Sequence, residues 1–80
     1  MNLLPVLEGM LFIVGEEGLT SERIKEVLEI NDEELESLLK ELNKSYENEN
    51  RGIKLDVLGN KLKLTTKKEH KTYFEKMLKN

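Results

Sequence analysis

Leu3, Val6, Leu7, Met10, Leu11 and Val14 return at the three- and four-residue intervals of a helix with one apolar face. Pro5 falls early enough to occupy its first turn, where a missing N–H costs no hydrogen bond. Gly15 and Gly18 enclose Glu16 and Glu17 in a turn, and Thr20 is placed to cap a second, short helix with Ile24, Val27 and Leu28 inward. Asn31, followed three positions on by Glu34, has the form of a capping box. It precedes the stripe Leu35, Leu38, Leu39, Leu42 and Tyr46, which predicts a third helix. Only Glu29 to Asn31 separates the second helix from the third, the tight link of a helix-turn-helix. Asn48 to Gly52 ends the helical pattern. Ile53, Leu55 and Val57 then alternate with Lys54 and Asp56, and Leu62 and Leu64 with Lys61, Lys63 and Thr65, as in two half-buried strands. Gly59-Asn60 between them is a two-residue hairpin signal. Thr66-Lys67-Lys68-Glu69 reads as a second capping box opening a last helix that buries Tyr73, Phe74, Met77 and Leu78. A helical hairpin, a β-hairpin and a closing helix predict an α+β winged helix-turn-helix, as one domain over residues 1–80.

Composition narrows the class more than the function. At 38% hydrophobic and 36% charged residues, the chain has enough aliphatic content to fold and too few residues for a deep, enclosed cleft. Without cysteine there is no disulfide framework, thiolate metal site or cysteine nucleophile. The longest apolar run, Met10 to Val14, is far below the ~20 residues of a membrane span, and no basic segment precedes it, which reads as a cytoplasmic protein without membrane contact. The net charge of −3 hides a strong asymmetry: residues 1–50 hold thirteen acidic and four basic side chains, residues 51–80 three acidic and nine basic. Such a chain is a dipole whose two ends favour partners of opposite sign.

Catalysis finds no support in this pattern. The carboxylates fall on solvent faces of helices rather than in a dry pocket that would shift their pKa values. His70 is the only histidine, too few for a zinc site, and is expected beside Tyr73 and Phe74. No metal or cofactor is expected. DNA binding has a case on the wing, where Arg51, Lys54, Lys61, Lys63, Lys67, Lys68 and Lys71 cluster and could make weak, salt-sensitive contacts with phosphates or an acidic partner. A winged-helix transcriptional regulator is the alternative reading on that basis. Base readout in this architecture falls to the start of the third helix, here Asp32, Glu33, Glu34, Glu36 and Ser37, a surface the phosphate backbone repels. From Asn31 to Glu49 seven acidic residues face two lysines.

Helix one carries more apolar surface than one side of a small domain consumes. Phe12 projects nearly opposite the Leu3, Leu7, Leu11 stripe, on a face shared with Pro5, Glu8 and Gly9. Two placements are open: beneath the last helix, or exposed as the anchor of a self-contact in which Gly9 lets a second backbone approach. The second makes Pro5, Gly9, Phe12 and Ile13 a candidate homodimer interface.

Glu8-Gly9-Met10-Leu11-Phe12, Gly15-Glu16-Glu17-Gly18-Leu19-Thr20, Arg51-Gly52-Ile53-Lys54-Leu55 and Leu64-Thr65-Thr66-Lys67-Lys68, in this order and spacing, resemble the amino-terminal winged-helix domain of bacterial segregation and condensation protein B. The resemblance covers nearly the whole chain. It implies a non-catalytic accessory subunit of the bacterial condensin complex, associated with the nucleoid and acting in chromosome condensation and segregation. Its partners would be a kleisin subunit and, through it, a structural-maintenance-of-chromosomes ATPase. Two winged helices follow each other in that family, the first pairing with itself and the second supplying much of the kleisin contact. The resemblance therefore implies that the chain to Asn80 is the first half of a longer protein. Gly9 stands where the family commonly has alanine, a slight loss of helix propensity.

Overall fold

The computed structural model describes residues 1–79, so the expectation attached to the chain's end at Asn80 lies outside the described residues. Helix α1 spans Leu4–Val14, with Pro5 in its first turn and Asn2 Oδ1 accepting from the Leu4 N–H at 3.0 Å. One turn of 3-10 helix, Gly15–Glu17, leads to a two-residue strand, β1 (Leu19–Thr20), then to α2 (Ser21–Leu28) and α3 (Asp32–Tyr46). The hairpin β2 (Ile53–Leu58) and β3 (Lys61–Thr66) follows, then a second 3-10 turn, Lys68–His70, and α4 (Lys71–Leu78).

Local chemistry sets the element boundaries. Thr20 Oγ1 accepts from the Arg23 N–H at 3.1 Å, capping α2. At α3 both halves of the capping box form: Asn31 Oδ1 takes the Glu34 N–H at 2.8 Å, and Glu34 Oε1 takes the Asn31 N–H at 3.0 Å. Between them Glu29 adopts φ 55°, and the Ile30 N–H returns to the Lys25 carbonyl at 3.1 Å, closing α2 as a Schellman-type cap. Lys25 Nζ reaches Asp32 Oδ1 at 2.5 Å across this turn, a hydrogen bond that raises the lysine pKa above its usual value.

The sheet is antiparallel, in the order β1-β3-β2. Leu58 pairs with Lys61 around Gly59-Asn60, and Leu55 faces Leu64. Gly59 alone takes a positive φ, 65°, as in turns with glycine at the first central position. Strand β1 pairs Leu19 with Leu62, completing a sheet read from the sequence as only two strands.

The core is Leu7, Leu11, Ile24, Leu35, Leu42, Tyr46 and Leu62, with Leu28, Leu38, Leu39, Ile53, Leu55 and Leu64 packed half-buried around it. Helix α1 lies against β3 and α3, and α3 against β2 and α2. The fold is thus the expected winged helix, with four corrections. Val57, expected on the half-buried side of β2, is 57% exposed, because burial runs out toward the turn end of the strand. Val27 is half exposed, because α2 turns only Ile24 and Leu28 toward the core. The second capping box does not form: Thr66 is still paired in β3, and neither the 3-10 turn nor α4 has a side-chain cap. Helix α4 buries none of its residues, and Tyr73, Met77 and Leu78 stand 72%, 73% and 78% exposed. Only Phe74 is half covered, with its ring edge-on to His70 at 6.4 Å.

Gly18 is held at φ 72°, ψ 171°, a conformation essentially reserved for glycine, and an added Cβ would sit 2.9 Å from the Leu62 carbonyl oxygen. Gly9 lies in regular helix with nothing within 4 Å of such a Cβ. In urea unfolding, Gly18→Ala is expected to cost about 1–3 kcal/mol, whereas Gly9→Ala should add roughly 0.5–1 kcal/mol to the stability of the chain measured as a dilute monomer.

Candidate protein-interaction face

On α1, positions 5, 9 and 12 line up on one side of the helix while Leu7 and Leu11 point the other way into the core. Phe12 is 80% and Ile13 84% exposed, and Pro5 is exposed beside them. Of the two placements open to Phe12, the outward one is the one adopted. Between this stripe and the sheet runs a shallow groove of about 300 Å³, lined by Pro5, Glu8, Gly9, Phe12, Ile53 and Leu64. Three of the four residues singled out on helix one, Pro5, Gly9 and Phe12, line this groove, Ile13 is exposed on α1 outside it, and two sheet residues that no sequence pattern connected to them complete the lining. That connection required the hairpin to fold back onto α1.

Glu8 ties this rim to the interior. The buried Tyr46 hydroxyl donates to Glu8 Oε2 at 2.5 Å, linking the last turn of α3 to the middle of α1. Burial first, and the acceptor carboxylate second, push the Tyr46 phenol well above the usual tyrosine range. Glu8 in turn keeps its side chain directed toward the α3 side of the groove's edge.

The lysine-rich surface is smaller than the sequence suggests. Arg51, Lys61, Lys68 and Lys71 are exposed, Lys63 is half-buried opposite Asp56 in the ladder, and Lys71 lies 3.8 Å from Glu75. Lys67 is a correction: it is buried, with Nζ donating to the Asn48 carbonyl at 3.0 Å, where it fastens the end of β3 to the loop after α3. An ammonium committed to an internal carbonyl is not available to phosphate. Meanwhile Asp32, Glu33, Glu34 and Glu36 are all exposed at the start of α3, so a duplex docked in the usual way would meet carboxylates first. No helix among the described residues is long and apolar enough to cross a membrane.

Fold and surface together define a winged helix with an acidic third helix and an uncovered apolar face on its first. The family model of the segregation and condensation complex subunit ScpB matches residues 5–80. Proteins named segregation and condensation protein B from Bacillus mycoides (strain KBAB4) and Oceanobacillus iheyensis are 37% and 38% identical over 73 residues, 91% of this chain. The chain belongs to the segregation and condensation complex subunit ScpB family. It spans 38% of the length of these relatives. Among solved structures, a dimer of the ScpB N-terminal domain complexed with ScpA peptide superposes with a TM-score of 0.90 at 39% identity, covering 94% of this chain and 89% of that one. A conserved hypothetical protein from Chlorobium tepidum, at 23% identity and a TM-score of 0.78, shares the fold over 95% of this chain and 48% of its own length.

The Tyr46–Glu8 bond makes a pH prediction with a definite sign. A folded-state pKa raised above the unfolded value of about 10 contributes stability that is fully present below that pH and is lost as pH rises through the folded value. Urea unfolding should therefore show stability falling above pH ~10. Tyr46→Phe should flatten that decline while costing about 1–3 kcal/mol at pH 7.

Proposed function

We propose that this chain is the homodimerisation module of a non-catalytic accessory subunit of the bacterial condensin complex, at work on the nucleoid in chromosome condensation and segregation. In this reading it is one winged-helix domain of a longer protein, held with a kleisin subunit and through it with the structural-maintenance-of-chromosomes ATPase. The observation that carries the reading is the pair of adjacent exposed side chains Phe12 and Ile13 beside the open backbone at Gly9. Water around an aromatic ring and a β-branched side chain on one small helix face is displaced when a second apolar surface covers them. The family relationship supports the assignment, as does its structural neighbour, a dimer of the ScpB N-terminal domain complexed with ScpA peptide. The acidic surface of α3 and the internal role of Lys67 weigh against a regulator that reads DNA.

Light scattering and sedimentation across a concentration series should give a species of twice the 9.3 kDa chain mass. Phe12→Asp should raise the dissociation constant at least about thirtyfold, the effect of losing a central anchor worth ~2 kcal/mol. The circular dichroism spectrum should stay unchanged, since Phe12 is 80% exposed and outside the buried core. A dimer that survives Phe12→Asp would move the interface off helix one.

A further inference from the structure

Besides the wing tip at Val57 and Leu58, two apolar surfaces among the described residues are uncovered, and neither covers the other. One is the groove between α1 and the sheet; the second is the face of α4 formed by Tyr73, Met77 and Leu78. Helix α4 is eight residues long, and its substantial packing is with the 3-10 turn that precedes it. A helix that short is marginal in water without a surface to lie on. The molecule measures 44 × 24 × 22 Å, elongated rather than closed around such a surface.

We propose that in the homodimer α4 of each copy lies in the α1–wing groove of the other, a reciprocal exchange that rests on the dimerisation reading and specifies what occupies the groove. Charge selects a second copy. Helix α1 and the turn after it carry Glu8, Glu16 and Glu17 and no basic residue, whereas the segment from Lys68 to Lys79 carries four lysines against Glu69 and Glu75. Turning one copy about a two-fold axis sets each basic helix against an acidic one, and every favourable pair occurs twice. Gly9 supplies the clearance: with no Cβ and nothing within 4 Å of where one would stand, the floor of the groove admits a helix backbone closely. Size agrees as well. Phe12, Ile13, Tyr73, Met77 and Leu78 are exposed in each copy; the four aromatic rings of a pair, at about 150 Å² apiece, offer roughly 600 Å², and the six aliphatic side chains add to this toward the ~1,200 Å² of a stable specific interface.

The absence of cysteine from the chain makes a clean test available. Gly9→Cys and Met77→Cys are prepared as separate proteins, mixed and oxidised. The expected result is a disulfide-linked pair formed from one of each, at least about tenfold faster than either protein links to itself, because two thiols must come within ~7 Å between Cα atoms to bridge. Pro5→Cys with Lys76→Cys repeats the measurement from neighbouring exposed positions, so that packing lost at Gly9 or Met77 is not mistaken for a wrong contact. An intact dimer by light scattering with no mixed disulfide in either pairing overturns the exchange, leaves the dimerisation reading standing, and assigns α4 to a different occupant. A bridge formed within one chain of the Gly9→Cys/Met77→Cys double variant overturns it too, since α4 would then cover its own groove. A monomer at every concentration, in the unmodified chain as in the variants, removes both readings together.

Discussion

Everything in this molecule is arranged around the burial of Leu7 and Leu11. These two side chains, with essentially no solvent exposure, are where α1 meets the helical hairpin on one side and β3 on the other. Removing each from water is worth about 1.5–3 kcal/mol, a large share of the net stability of a domain this small. The remaining core side chains come from α2, α3 and β3 and close over this pair. Among the described residues seven apolar side chains are buried, and they cover only one side of α1. Its other side, with Pro5, Phe12 and Ile13, is left exposed by the described residues.

Helix α4 also stands outside the core, and these two uncovered faces give the surface its character. An apolar face on α1 and another on α4, at opposite ends of a charge gradient along the chain, are a cost to a monomer and an asset to an assembly. Winged helices that read DNA set the start of the third helix into the major groove, between two phosphate backbones. In this chain that position is acidic, and its carboxylates serve the helix itself: Glu34 completes the capping box, and Asp32 and Glu33 favour the positive end of the helix dipole. One set of residues thus stabilises α3 and disqualifies it as a reading head. The wing loses a lysine for a comparable reason, because Lys67 is consumed in joining β3 to the loop after α3.

Elements with short-range causes were legible in advance. Thr20, the Asn31–Glu34 box and the Gly59-Asn60 turn each act within a few residues and formed where the pattern placed them; strands β2 and β3 formed there too, but the alternation in β2 fails at Val57, which is exposed. Thr66-Lys67-Lys68-Glu69 matches the capping pattern equally well and failed, because pairing of Thr66 with Ile53 competes for the same residue and holds it in the strand. Strand β1 left no trace in the sequence, since two residues are too few to show a period, and its existence depends on β3 arriving beside it. On helix one, the outward face of Phe12 was readable from helical geometry, but its emptiness was not. That depends on where α4 goes, which the amphipathic pattern of α4 does not state.

From residue order alone follow the helix and strand periods, the caps, the tight turn between α2 and α3, the charge gradient and the acidity of the third helix, because each is a property of neighbours along the chain. Tertiary structure alone decided that Lys67 points inward, that Tyr46 reaches Glu8 across thirty-eight positions, that Ile53 and Leu64 join α1 in forming a groove, and that α4 finds no place on the core. These outcomes depend on which surfaces meet and which are left over once a small core is full. An apolar stripe says that a residue seeks cover; only the packed molecule shows whether cover exists within the same chain.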